Sequence, residues 1–446
     1  MKHVTVIGGG ASGLAAAIAA AKEGAAVTIL EHTTTIGKKL LATGNGRCNF
    51  TNTMMTADCY FGENPPFLAE FLTRFCPQDC LNFFAGLGLY AEDKNGYVYP
   101  YSNQAASVAE VLRMAVQAYG IQVRYRVEVT EILWKKNGLV LNGTEEVRED
   151  LPKPEQKKPE QKKKGKAKQV PEKGIQKPFS MKCDALILAC GSKAAPKTGS
   201  DGSGYALAKQ LGHRIVPVHP ALVQLRSQGA FLKQWAGVRC MGTVSLWIGG
   251  QEQARERGEL QLTEYGISGI PVFQVSRIAT KALTEGRQVR ASLGFLPDMP
   301  EGKARELLWS VAGSPGHHTP YQWLAGLLPA KLIPVVLQAA GLPEKAYDKK
   351  GQTGGQKEVL LEKLYQQLSA FEIEITGSNA YEQAQVCAGG VDTRELTADF
   401  QSRLVPNVYL IGELLDVDGI CGGYNLHFAW GSGILAGRAA ARHRIP

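Results

Sequence analysis

The chain has 446 residues, 44% of them hydrophobic and 20% charged, which is too long for one compact core and predicts two or three domains. The formal net charge is +9, but ten Lys against three Glu between Leu151 and Pro178 supply +7 of it, so the rest of the chain is close to neutral and a basic nucleic-acid-binding body is excluded. Nine Cys without a C-x-x-C pair exclude a disulfide framework and a zinc site and point to a reducing, cytoplasmic setting; no run approaches 18 apolar residues, which excludes a membrane-spanning helix.

His3–Ile7 reads as a short buried strand, Ser12–Glu23 as an Ala-rich helix and Ala25–Leu30 as a second strand. Met1–Ala21 has the outline of a signal peptide, but Gly8-Gly9-Gly10 and Ser12 interrupt its apolar run. The turn between strand and helix is Gly8-x-Gly10-x-x-Gly13. Gly8 permits the turn, Gly10 lets a pyrophosphate approach the backbone, and Gly13 lets helix and strand pack closely. The phosphate charge then meets unpaired N–H groups of Ala11 and Ser12 at the helix start. Glu31, eighteen residues after Gly13, is placed to accept from ribose hydroxyls, with His32 beside it, and its charge disfavours a 2′-phosphate. This pattern serves FAD and NAD alike.

Directly after this unit, residues 37–52 read GKKLLATGNGRCNFTN. Gly44 and Gly46 can turn backbone N–H groups toward phosphate or flavin, Lys38, Lys39 and Arg47 offer countercharge, and Asn45 and Asn49 offer donors and acceptors. Cys48 is a candidate redox thiol, although a packed thiol contacting flavin is the plainer role.

Ala105–Tyr119 reads as a helix, Ile121–Leu133 and Leu139–Val147 as strands, and 151–178 as an extended surface loop. A basic RNA-binding arm is the sharper reading of that loop, but no aromatic interleaves the lysines. Cys183–Ala189 is a strand ending at Cys190-Gly191, and Gly204–Leu211 begins a helix. From about His213 short strands (Arg214–Val218, Val223–Arg226, Thr243–Ile248, Val289–Phe295) predict a β-rich insertion, and Lys303–Val311, Ala330–Ala340 and Lys357–Leu368 a small helical part of it. The nucleotide-binding pattern resumes near Gln385, with the strand Val408–Ile411 and a final helix through Gly431–Ala441. Domain boundaries follow: 1–208 with 383–446, interrupted by 209–382, its helical part at about 300–368.

Between that last strand and helix lies a third constellation, residues 412–425, GELLDVDGICGGYN. Glu413 can accept from ribityl hydroxyls, and Gly422 and Gly423, opening a helix, can aim N–H groups at the electron-rich side of a flavin. The carboxylates here lack the spaced ligand ladder of a calcium loop, so no metal is expected. Tyr424 and His427 are candidate proton donors, but most of a helical turn separates their directions.

The three blocks together, with Gly199–Tyr205, Thr263–Pro271 and Ala388–Val391 in order, resemble the bile-acid-inducible (BaiN-like) flavoproteins, also known as the HI-type or aminoacetone-oxidase-type FAD-binding proteins. The resemblance implies an α/β fold, a discontinuous two-dinucleotide-binding-type (Rossmann-like) FAD domain with an inserted β-barrel-like and helical domain. It implies FAD held by Gly8, Gly10, Ser12, Gly13, Glu31, Lys39, Gly46, Cys48 and Asn49, with Val129 near adenine, Cys190 and Gly191 nearby, and Gly412, Glu413, Asp418, Gly422, Gly423, Tyr424 and Asn425 at the ribityl and isoalloxazine end. His427 stands where many relatives carry Gln. Tyr265 and Ser268 would line the substrate side.

The function expected on this ground is FAD-dependent oxidoreduction of a small molecule, with NAD(P)H as transient donor and a conjugated, steroid-like C=C as acceptor. An amine oxidase using O₂ and an RNA-associated flavoprotein are the alternatives. No second Gly-x-Gly-x-x-Gly unit is present to hold NAD(P)H firmly.

Overall fold

The computed structural model describes residues 1–135, 138–147, 174–314, 319–344 and 354–442. The opening unit is β1 (His3–Ile7), α1 (Ala11–Lys22) and β2 (Ala26–Glu31). Three further strands, β3 (Gln122–Tyr125), β4 (Ala185–Leu188) and, late in the chain, β5 (Val408–Leu410), complete a parallel sheet in the order β5-β4-β1-β2-β3. β1 and β4 are almost wholly buried because this sheet is covered on both faces, as near-continuous apolar strands require.

The final helix, Tyr424–Arg442, crosses the alanine face of α1. Neither helix could approach so closely with larger side chains: a Cβ on Gly433 would stand 2.3 Å from the Ser12 carbonyl oxygen, and one on Gly437 2.2 Å from that of Ala16. The small residues of α1 favour the helix and also form the floor on which the last helix rests.

The expected single strand Ile121–Leu133 is two. Arg126, at φ 60°, breaks it, so that β3 joins the parallel sheet while Val127–Lys135 joins an antiparallel sheet with Gly138–Val147 and Ile175–Cys183. Ile175–Pro178, expected in the Lys-rich loop, therefore belong to a strand, paired as far as Val147↔Ile175. The rest of that loop, and with it the RNA-arm reading, lies outside the described residues.

The chain leaves this body through Ile215–Ala221 and returns through Val386–Val391, which pair antiparallel. Between them six strands close a barrel in the order Leu225–Ser227, Gly266–Ser268, Gln251–Thr263, Arg239–Ile248, Val289–Gly294 and Phe371–Ser378. Helix α2 (Ile270–Thr284) packs on the barrel and on the strand Ile215–Ala221. Helices Glu301–Gly313, Pro320–Leu324, Leu332–Ala340 and Gly354–Ser369 form the helical part. Its core around Trp235, Leu246, Val275 and Leu337 is separate from that of the Rossmann body. The final helix, Tyr424–Arg442, is α3.

Candidate functional site

The glycine turn after β1 has the geometry of an anion seat. Gly8 adopts φ 105°, and a Cβ on it would stand 2.4 Å from the Ala189 carbonyl oxygen, so β1 and β4 pinch the turn closed. Gly13 is equally committed, 1.9 Å from the Gly8 carbonyl by the same measure. Gly10 differs: nothing in the protein lies within 4 Å of its Cβ direction. It precedes α1 with no side-chain cap, so the first N–H groups of the helix point into open space.

Glu31 closes this end. Its carboxylate accepts from the Gly9 N–H at 2.8 Å and the Thr33 N–H at 2.7 Å, and His32 Nδ1 lies 3.6 Å away. These bonds fix the carboxylate at the tip of β2 against the glycine turn. Arg126 N–H donates to the Thr33 carbonyl, which brings the strand carrying buried Val129 alongside. Cys190 and Gly191 follow β4 on the other side. The Cys190 thiol is 3.8 Å from the Ile7 carbonyl and is pushed up to about 12 by burial, which rules it out as a thiolate.

The second block departs from helical geometry at Thr43, then runs through left-handed Gly44, Asn45, Gly46 and Cys48, with φ between 54° and 83°. Gly46, like Gly10, has open space before it. Lys39 crosses to the third block, its Nζ 2.6 Å from Glu413 Oε2, and Ser192 Oγ donates to the same oxygen at 3.1 Å. Glu413 Oε1 has no partner among the described residues. Lys38 instead donates to the Lys197 carbonyl, and Arg47 lies over the Tyr99 ring at 5.8 Å, so neither adds to a phosphate seat.

The third block reaches both of the others. A Cβ on Gly412, at φ 66°, would meet Ser12 Oγ at 2.4 Å, which puts this turn against the start of α1. At its other end a Cβ on Gly423 would lie 2.8 Å from Asn49 Oδ1, and Asn52 Nδ2 donates to the Gly422 carbonyl at 2.9 Å. Asn49 Oδ1 is buried with no hydrogen-bond partner. A buried amide oxygen without a donor is costly, so this one calls for a donor from a bound group.

These observations fit FAD. Two glycines, Gly10 and Gly46, leave open space that suits a pyrophosphate, the fixed Glu31 carboxylate suits a ribose, Glu413 is half-engaged, and an orphaned amide oxygen lies beside Gly423. The residues to hold it are those of the three turns. No cluster of metal-ligating side chains occurs among the described residues.

Several single residues have other work than expected. Asp418 gives both carboxylate oxygens to Arg277 of α2, at 2.8 and 3.1 Å, and Arg277 also stacks on Phe61 at 4.2 Å. Burial outweighs that partner and pushes Asp418 up to about 6. It is an interdomain strut. Asn425 brackets the Gly419 backbone, accepting from its N–H and donating to its carbonyl, both at 2.8 Å, so only its main chain is free for the cofactor.

His427 is fully buried. Nδ1 is 2.8 Å from Thr51 Oγ1 and Nε2 3.3 Å from the Phe75 carbonyl, and burial lowers its pKa to about 4, so it is neutral and faces no substrate. Tyr424 donates its hydroxyl to the Met54 carbonyl at 3.0 Å, and burial raises its pKa. Cys48 is buried with its thiol pushed up to about 11. Each of the three candidate catalytic side chains is buried and engaged by the protein itself. Ser268 is buried in the barrel wall, while the Tyr265 carbonyl accepts from Ser227 N–H.

Sequence reasoning missed Arg277 and Gln274, whose side chain accepts from the Cys421 N–H at 2.8 Å, because helix α2 was not read at all. It also missed Tyr97, whose ring packs on Gly422. The Gly269-Ile270-Pro271 start, with Pro in the first turn, was the available signal for α2.

A family model described as the HI0933-like protein Rossmann domain matches residues 2–151 and 153–439. The chain is 42% identical over 444 residues to a 3-dehydro-bile acid delta(4,6)-reductase of Clostridium scindens, covering 99% of each chain. It is 28% identical over 441 residues to a ribosomal RNA dihydrouridine synthase of Haemophilus influenzae, covering 98% of each, and 26% identical over 430 residues to one of Escherichia coli, covering 96% of this chain and 95% of that one.

Proposed function

We propose, from the fact that this chain belongs to the HI0933-like Rossmann-domain family, that it reduces a ring C=C bond conjugated to a carbonyl, taking its electrons from NAD(P)H. The chain is an FAD-dependent oxidoreductase. The observation that carries the finer reading is the 42% identity, end to end, with a reductase of a 3-dehydro bile acid. The more distant relatives are named for making dihydrouridine, and both names describe adding two hydrogens across a ring double bond.

A bound FAD supplies hydride transfer, and the protein supplies position and electrostatics. Reduction of an enone places a hydride on the carbon β to the carbonyl and a proton on the α carbon. The residues around Gly422 and Gly423 hold the reacting end: Asn49 presents its unpaired amide oxygen, Asn52 fixes the Gly422 carbonyl, and the first N–H groups of α3 provide the positive end of a helix. Gln274 and Arg277 hold the same turn from the inserted domain, so the barrel covers it. With Cys48, Tyr424 and His427 engaged elsewhere, the proton comes from solvent or from a group on the barrel side. Glu256 is one such group: it is half-buried, free of any hydrogen bond or ion pair among the described residues, raised by burial, and near enough to Cys421 to raise that thiol.

Anaerobic stopped-flow mixing of the holoenzyme with NADH and with NADPH, followed by a 3-keto-Δ4 steroid, tests the reading. Bleaching by one nucleotide and recovery of the oxidised spectrum on adding steroid is expected. Bleaching by neither nucleotide, or substrate-dependent peroxide formation from an amine, overturns it.

A further inference from the structure

Two long strands of the barrel, Arg239–Ile248 and Gln251–Thr263, pair antiparallel, so residues directly opposite share a face. One face of this hairpin is apolar: Val244, Leu246, Leu260 and Leu262 are buried there, with Ala254 and Gly258 between them. Glu256, opposite Val244, stands on that same face. The other two carboxylates of its strand are answered by arginines, Glu252 by Arg255 at 3.1 Å and Glu259 by Arg239 at 3.2 Å. Glu256 has no hydrogen bond or ion pair among the described residues, and burial raises its pKa. An acid left without a partner on an apolar face costs stability, and such groups collect where chemistry is done.

Helix α2 runs along this face in the opposite direction. A Cβ on Gly269, just before the helix, would stand 2.3 Å from the Glu259 carbonyl oxygen, and one on Gly258 3.0 Å from Pro271 Cγ. From Gly258 back to Glu256 the strand covers about 6.6 Å, which the helix covers in about four residues. Glu256 therefore comes level with Gln274 and Val275. Gln274 accepts from the Cys421 N–H at 2.8 Å, and the Cys421 thiol feels the Glu256 charge. The carboxyl thus lies on the barrel side of the segment leading into the Gly422–Gly423 turn, and it is only partly buried, so a bound molecule can reach it. The acids of that segment are engaged, Asp418 by Arg277 and Asp416 by the Glu63 N–H.

We propose that Glu256 is the proton donor of the reduction, and that the two hydrogens enter the double bond from opposite faces. The proposal rests on the reductase reading and adds to it the acid and the stereochemistry. Two electrons and one hydrogen reach the β carbon as hydride, supplied by NAD(P)H through FAD on the side of the Gly422 turn. The π pair of the C=C bond moves onto the α carbon and the carbonyl oxygen as an enolate. On the barrel side the Glu256 O–H bond breaks as the α C–H bond forms, and the carboxylate left behind takes its next proton from water.

The test uses holoenzyme whose flavin is reduced by light in D₂O and then mixed with a 3-keto-Δ4 steroid, so that no nucleotide is needed. The product of the unaltered protein is expected to carry deuterium at the α and β carbons on opposite faces, read by NMR. Glu256→Gln keeps the shape of the side chain and removes the acid. Reoxidation of the flavin by the steroid then slows by about 100-fold or more, and the product that does form has deuterium on both faces of the α carbon. FAD content and binding of the saturated 3-keto product, both read from the visible flavin spectrum, stay as they were. Unchanged reoxidation in Glu256→Gln, loss of its FAD, or same-face addition by the unaltered protein overturns the proposal and leaves the reductase reading intact. Failure of the steroid to reoxidise the unaltered protein, although it binds and perturbs the spectrum, overturns the reductase reading and the proposal with it.

Discussion

Gly10→Ala separates what the protein needs from what its cofactor needs. Gly10 has φ −81° and ψ −167°, a conformation open to alanine, and the added methyl meets no protein atom within 4 Å. The apoprotein therefore loses nothing, and stiffening of the unfolded chain stabilises it by about 0.4–1 kcal/mol. The same methyl stands where the pyrophosphate must approach the start of α1. Forcing a methyl-sized overlap in a packed contact costs about 1–3 kcal/mol, which corresponds to FAD binding weaker by about 5- to 150-fold. Thermal melting of apoprotein, together with titration of FAD by quenching of its fluorescence, reads both effects. The expected outcome is an apoprotein melting point unchanged or slightly raised, with FAD affinity clearly reduced. Wild-type FAD affinity in this variant would refute the placement of the pyrophosphate on the turn. Gly8 and Gly46 cannot make this separation, since both have positive φ and an alanine there is strained regardless of the cofactor.

Gly437→Ala tests the opposite case, a glycine required by the protein itself: its Cβ would lie 2.2 Å from the Ala16 carbonyl, so crowding of about 1–3 kcal/mol outweighs the gain of about 1 kcal/mol in helix propensity, and the melting point should fall. His427 has a folded pKa of about 4, below its unfolded value, so its neutral burial contributes stability above pH 6.5 that is lost as the pH falls toward 4. Urea unfolding from pH 7 to pH 4 should show the unaltered protein losing on the order of 3 kcal/mol relative to His427→Gln, and parallel curves would sink the assignment. Iodoacetamide at pH 8 should label exposed Cys76 in the folded protein and spare buried Cys48, with mass spectrometry of peptides as the readout; early labelling of Cys48 would restore it as a reactive thiol.

The nucleotide-binding unit was legible because local rules agree there: β1 is a run of buried β-branched residues, the glycines stand at the spacing of a phosphate turn, and Glu31 ends the next strand. The convergence of the three glycine blocks was legible as a resemblance. Its physical basis, Lys39 on Glu413 and Asn49 at Gly423, joins residues more than 370 positions apart and has no local signature. The barrel strand Gln251–Thr263 escaped notice because its outward positions carry Gln, Glu and Arg, so only half of it has an apolar pattern. Asp418 and Asn425 were expected at the cofactor only through the family resemblance, which carries no information on their local partners. Arg277, on a helix missing from the sequence reading, is what claims Asp418, and Asn425 is used to brace its own loop.

The strut from α2 has a thermodynamic corollary. Arg277 and Gln274 belong to the barrel-bearing part of the chain, yet they grip Asp418 and Cys421 in the segment that ends at the flavin turn. Were FAD seated on that turn, a ligand that tilted the helix would change its affinity, and by linkage FAD would bias the helix by the same free energy.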